Sequence, residues 1–129
     1  MDKEQTPPKT AANSKVNVRD RDGATPLICA AENERPSLVA ALLDAGADIN
    51  AQDNYGATAL IYAATLDNDE SVRVLLQRGA DYDLADIEGK TALYRAAERG
   101  CWRVVDLLLD AGAEAHDEET RKLLIDMWR

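Results

Sequence analysis

His116 is the only histidine in the chain, so any proton shuttle or imidazole metal site has to start from it. The carboxylates offer more material. Asp53 and Asp86 could serve as paired acids. Asp67-Asn68-Asp69-Glu70 crowds oxygen ligands of the kind calcium takes into consecutive positions. The spacings fail in each case. No H-E-x-x-H, C-x-x-C, phosphate loop or G-x-S-x-G is present. The acidic run lacks the twelve-residue spacing and central Gly of an EF-hand, and capping of a helix explains it better. No catalytic residue, cofactor site or metal site is therefore expected.

The chain has a period instead. Gly23, Gly56 and Gly89 fall 33 residues apart, as do Thr25, Thr58 and Thr91. The pairs Ala30-Ala31, Ala63-Ala64 and Ala96-Ala97 keep the same step, and so do Gly46, Gly79 and Gly112. A fixed interval of this length marks a stacked array whose core lies between neighbouring units. In that frame Asp53 and Asp86 open turns, where an Asp side chain bonds its own backbone. His116 falls near Asn50 and Asp83, at an exposed polar position.

Each unit reads as turn, short helix, loop, longer helix and glycine. In the first, Thr25 is the N-cap and Pro26 the first helical residue. Leu27, Ala30 and Ala31 give that helix a narrow apolar face, and the small alanines admit a close neighbour. Pro36 starts the second helix, whose core spacing is Leu38, Val39, Leu42 and Leu43, and Gly46 ends it. The second unit has Asp69, Glu70 and Ser71 at the helix start, favourable against the dipole. The third has Gly100 in its loop and Val104, Val105, Leu107, Leu108 and Leu109 beyond it.

The segments DRDGATPLICAA, LLDAGADIN, GKTALYRAA and VVDLLLDAGA resemble the ankyrin repeat. The resemblance implies an all-α solenoid of helix-turn-helix units with β-turn fingers. Its repeats run over 20–52, 53–85 and 86–118, within a single domain at 16–129. Residues 1–15 read as a flexible polar tail. Ala12 to Asn17 matches Ala45 to Asn50, a remnant of a degenerate repeat whose helices are lost, with Asn13 in the left-handed place of Gly. Residues 119–129 read as a capping helix that lays Leu123, Leu124, Met127 and Trp128 on the third repeat. The histidines usual in the family are replaced by Ile28, Ile61 and Tyr94 and by Arg35, Asn68 and Cys101. The family's Thr–His bond is thus absent, and neighbouring repeats are expected to be held less rigidly.

Cys29 and Cys101 lie two repeats apart. With helices stacked roughly 8–10 Å apart, their thiols exceed the roughly 7 Å Cα separation a disulfide allows. Unpaired thiols fit a reducing compartment, and a cytoplasmic monomer is expected. The opening residues lack the apolar segment of a secretory signal, and no run approaches the roughly 20 apolar residues of a membrane span. The net charge of −9 repels nucleic acid and favours basic partners, although solubility is its simpler account.

The resemblance also places the contact positions on finger tips and on the exposed side of the first helix. They are Arg21, Asp22, Glu32 and Asn33; then Asn54, Tyr55, Thr65 and Leu66; then Ile87, Glu88, Lys90, Glu98 and Arg99. Tyr55, Leu66 and Ile87 are apolar or amphipathic where exposure is expected, and together could form one patch. Trp102 stands where the pattern has Leu and is expected to pack over the loop towards the cap. The function implied is recognition of another protein on a preorganised concave face, without catalysis. Two alternatives stay open: an acidic inhibitor or immunity-type protein blocking a basic effector enzyme, and a scaffold piece of a larger assembly.

Overall fold

The computed structural model describes residues 15–127. From Pro26 onward, seven helices follow one another among the described residues: α1 Pro26–Glu32, α2 Pro36–Asp44, α3 Ala59–Thr65, α4 Asp69–Gln77, α5 Ala92–Glu98, α6 Trp102–Ala111 and α7 Glu118–Met127. No strand occurs among the described residues. The short helices α1, α3 and α5 pack in one row, which α7 continues, and the longer α2, α4 and α6 pack in a second. Each short helix also packs on the long helix of its own repeat. This is the all-α solenoid expected from the 33-residue period.

The row of short helices is held by its smallest side chains. Ala30, Ala31, Ala63, Ala64, Ala96 and Ala97 are all buried, with Leu27, Leu60 and Leu93 between them. Val39, Val72, Leu75, Val104 and Leu108 bring the second row into the same core. Each short helix starts at a threonine whose Oγ1 accepts an amide three residues on, from Ile28, Ile61 or Tyr94. The long helices have no such cap: Arg35, Asn68 and Cys101 make no side-chain bond there. Asn68 instead donates to Ser71 Oγ at 3.0 Å and to the Ala31 carbonyl at 3.4 Å. The run Asp67-Asn68-Asp69-Glu70 thus stands at the helix start as expected, with Asn68 at the N-cap position and Asp69 and Glu70 in the first turn, but the Asn68 side chain ties one repeat to the next instead of capping the helix.

Four further expectations change. Leu38 is 41 % exposed rather than core, while its counterparts in later repeats, Ser71 and Val104, are fully buried. A preceding repeat buries those two, and no described helix lies on the other side of Leu38. Leu42 is half-buried for the same reason, its counterparts Leu75 and Leu108 being buried, whereas Leu43 is half-buried like Leu76 and Leu109 in the later repeats. Trp102 is 60 % exposed as the first residue of α6, and touches the cap only by lining a cavity of about 150 Å³ with Val105, Asp106 and Met127. The cap helix opens one residue earlier than 119, at Glu118, because Asp117 Oδ1 accepts the Thr120 amide at 2.7 Å. Leu123, Leu124 and Met127 pack on the core, while Ile125 is exposed. Finally, Lys15 and Val16 are helical, so the remnant has not lost all helix. Asn13, the remainder of the tail and Trp128 lie outside the described residues.

The loop between short and long helix demands a left-handed residue. Gly100 supplies it at φ +73°, whereas Glu34 and Asp67 occupy the same place at +57° and +59°. A side chain there costs about 1–2 kcal/mol, against roughly 0.5–1 kcal/mol of chain entropy for glycine. Glu34→Gly is therefore expected to raise stability by about 0.5–1 kcal/mol. Urea denaturation of the variant checks this, and an unchanged or lower stability contradicts the strain assigned to Glu34.

Candidate interaction face

Each finger is a turn folded around its first aspartate. Asp20 Oδ1 accepts the amides of Asp22 and Ala24, both at 2.9 Å. Asp53 Oδ1 does the same for Tyr55 and Ala57, and Asp86 Oδ1 for Glu88 and Lys90. The turn role of Asp53 and Asp86 thus holds in detail. Successive fingers are then joined through the backbone: the Asn54 amide donates to the Asp22 carbonyl at 2.8 Å, and the Ile87 amide to the Tyr55 carbonyl at 3.0 Å. Gly56 is needed at the second of these joints, where a Cβ would lie 2.8 Å from the Ile87 nitrogen.

Side chains repeat the same linkage at the finger bases. Arg19 Nη1 donates to the Gly23 and Gln52 carbonyls, and Gln52 Nε2 to those of Gly56 and Ala85. Asn17 Oδ1 accepts the Asp48 amide at 2.7 Å, and Asn50 Oδ1 the Asp81 amide at 2.8 Å. His116 takes the next place in this series, with Nε2 3.2 Å from Asp83 Oδ1 on the exposed surface.

The second oxygen of the turn aspartate distinguishes the repeats. In the second, Tyr62 Oη donates to Asp53 Oδ2 at 2.6 Å. Burial first, and this bond second, push the Tyr62 phenol well above its usual range. In the third, Arg95 Nε and Nη2 both donate to Asp86 Oδ2, at 3.1 and 2.8 Å. The same guanidinium reaches Glu88 through Nη2 at 2.6 Å and Glu98 through Nη1 at 3.3 Å. Burial alone would raise the Asp86 carboxyl, but Arg95 and the backbone amides outweigh it and hold the group below its usual range. Sequence reasoning missed Tyr62 and Arg95. The signal was present, since both stand nine residues after a turn aspartate, with Cys29 as the counterpart in the first repeat.

The contact positions expected from the resemblance separate into engaged and free groups. Tyr55 is 54 % exposed and Ile87 72 % exposed, on joined fingers. With Asp86, Glu88 and Arg95 they line a cleft of about 220 Å³. Leu66, the C-cap of α3, is exposed but does not line that cleft. Lys90 is drawn away towards the cap, where Nζ donates to Glu119 Oε1 at 2.6 Å while Tyr94 donates to Oε2 at 3.0 Å. Asn33 donates to the Cys29 carbonyl, Thr65 to the Ile61 carbonyl and Asn54 Nδ2 to the Arg21 carbonyl. Asp22, Glu32 and Arg99 are exposed. The two thiols are free, and burial raises both their pKa values. Among the described residues no group of three His, Cys, Asp or Glu is arranged to hold a metal ion.

The family model described as "Ankyrin repeats (3 copies)" matches residues 8–86 and 55–119. No curated protein matches the chain.

Because folding lowers the Asp86 pKa, the stability it contributes is present above the carboxyl's ordinary value of 3.8 and is lost as pH falls through the lower folded value. Asp86→Asn is expected to cost about 1.5–3 kcal/mol at pH 7, the range for hydrogen bonds to charged groups. The deficit should shrink below about pH 4. Urea titrations at pH 7 and pH 3 check this, and a deficit equal at both values rules out the ionic lock.

Proposed function

The chain belongs to the ankyrin-repeat family, and we propose that it binds another protein through the wall formed by its fingers and short helices. Repeats of this family are generally protein–protein interaction modules and typically lack catalysis. The observation that carries the reading here is the pair Tyr55 and Ile87. Both are large, more than half exposed and held on fingers locked by a backbone hydrogen bond. A large apolar side chain held out on a rigid support suits recognition better than packing, because little order has to be gained on binding. Asp22, Glu32, Asn33, Asn54, Thr65, Leu66, Glu88, Glu98, Arg99 and Arg21 are the remaining contacts we assign to this wall.

A second reading is favoured by the net charge of −9. An inhibitor or immunity-type protein would use that charge to draw in and block a basic effector enzyme. The scaffold reading draws on a different surface, the exposed Val18 and Leu38 of the first repeat. We place the chain, as a monomer, in a reducing compartment such as the cytoplasm, on its two free thiols.

Two measurements test the face. Tyr55→Ala combined with Ile87→Glu is expected to change stability by about 0.5 kcal/mol or less, since neither side chain is packed. Affinity for a partner captured from native extract should fall by about 2 kcal/mol or more. Full affinity in the double variant would move the search to the first repeat. For the inhibitor reading, the association rate should drop steeply between low and physiological salt while dissociation changes less. A salt-independent association rate leaves the acidity to solubility.

A further inference from the structure

We propose that the cleft between the second and third fingers receives a single basic side chain from an extended segment of a protein partner, flanked there by an apolar residue. The inference rests on the finger wall being the binding face. It adds the chemistry of what enters.

Arg95 is the centre of the argument. All three of its guanidinium nitrogens are engaged, on Asp86, Glu88 and Glu98. One positive charge is thus set against three carboxylates: Asp86 and Glu88 line the cleft, and Glu98 stands outside its lining, joined to it through Arg95. Four of the five guanidinium N–H donors are thereby used, which leaves one, on Nη1. Glu88 and Glu98 each use one oxygen on Arg95, and no described residue is bonded to the other. Both carboxylates are substantially exposed. The open hydrogen-bonding capacity, two carboxylate oxygens against one N–H, is therefore mainly acceptor capacity beside Arg95, and it calls for a charged donor.

The other wall of the cleft is apolar. Tyr55 and Ile87 stand on either side of the joint between the fingers. Lysine and arginine carry a long aliphatic stem below a charged head, so they match a surface that changes from hydrocarbon to carboxylate over one side-chain length. The ring of Tyr55 adds an attractive face for a cation. Lys90, on the third finger, does not line the cleft and is held by Glu119 of α7. Neither neighbouring repeat repeats the arrangement: the second has the neutral Tyr62 in place of Arg95, and the first has Cys29. One basic residue, in one register, is what the wall specifies.

The probe is a randomised twelve-residue peptide library displayed on phage and selected against the full chain. Selected peptides should share one lysine or arginine beside an apolar residue. Replacing that arginine by the isosteric but neutral citrulline should weaken binding at least tenfold. Glu88→Gln with Glu98→Gln should do the same to the unmodified peptide, while leaving the affinity of the citrulline peptide within about twofold. That second arm separates loss of charge from loss of fold. Peptides that bind Tyr55 and Ile87 by NMR shift mapping but carry no shared basic residue would overturn this inference and keep the finger wall as the binding face. Peptides that map away from the fingers altogether, or a selection that yields none, would count against both.

Discussion

The structure depends on how closely its short helices can approach. Ala30-Ala31, Ala63-Ala64 and Ala96-Ala97 are buried where α1, α3 and α5 meet, and a methyl group is the largest side chain they place there. The fingers grow from the starts of these helices, so helix spacing fixes finger spacing. The backbone bonds from Asn54 to Asp22 and from Ile87 to Tyr55, at 2.8 and 3.0 Å, tolerate little change in that distance. A larger residue at any of the alanines would thus be felt twice: as overpacking in the core and as a broken joint on the face.

The polar groups extend the same economy of position. The family's Thr–His link is missing, yet the repeats are not left loosely joined. Arg19 and Gln52 bridge consecutive finger bases, and Asn17 and Asn50 reach across to the next repeat's backbone. Each satisfies backbone groups that a surface turn would otherwise leave to water. These bonds between repeats show only when two repeats are laid side by side.

Much of the fold was legible because a repeat states its pattern more than once. Gly56 and Thr58 gain meaning from Gly23 and Thr25, and the helices begin and end where that register puts them. Failures gathered where the register ends. Leu38 has the spacing of a core residue but not the neighbour, and burial depends on the neighbour. Trp102 has the composition of an anchor yet sits at a helix start that leaves it outside. Lys90 occupies a contact position in the frame, but the frame does not include Glu119, which belongs to the cap. The cleft itself was half legible: Tyr55 and Ile87 stood out by type, whereas the cluster on Arg95 requires knowing that a residue on α5 points back to the turn before it.

That cluster shows how a uniform scaffold acquires a directional face. The turn aspartate does the same work three times with its first oxygen, so the backbone of each finger is the same. Its second oxygen is answered differently by the residue nine places on. A phenol at Tyr62 satisfies the buried Asp53 with a neutral donor and adds no charge of its own. A guanidinium at Arg95 satisfies it with donors to spare, and those donors reach outward to Glu88 and Glu98. The cation therefore does not make the third finger basic. By ordering two exposed carboxylates around itself it makes the surface there acidic and fixed, beside two apolar side chains that the joint between fingers holds in place. Restricting those glutamates in advance lowers the entropy a ligand must remove. One difference in an internal hydrogen bond thereby appears at the surface as a pair of carboxylates held around a cation.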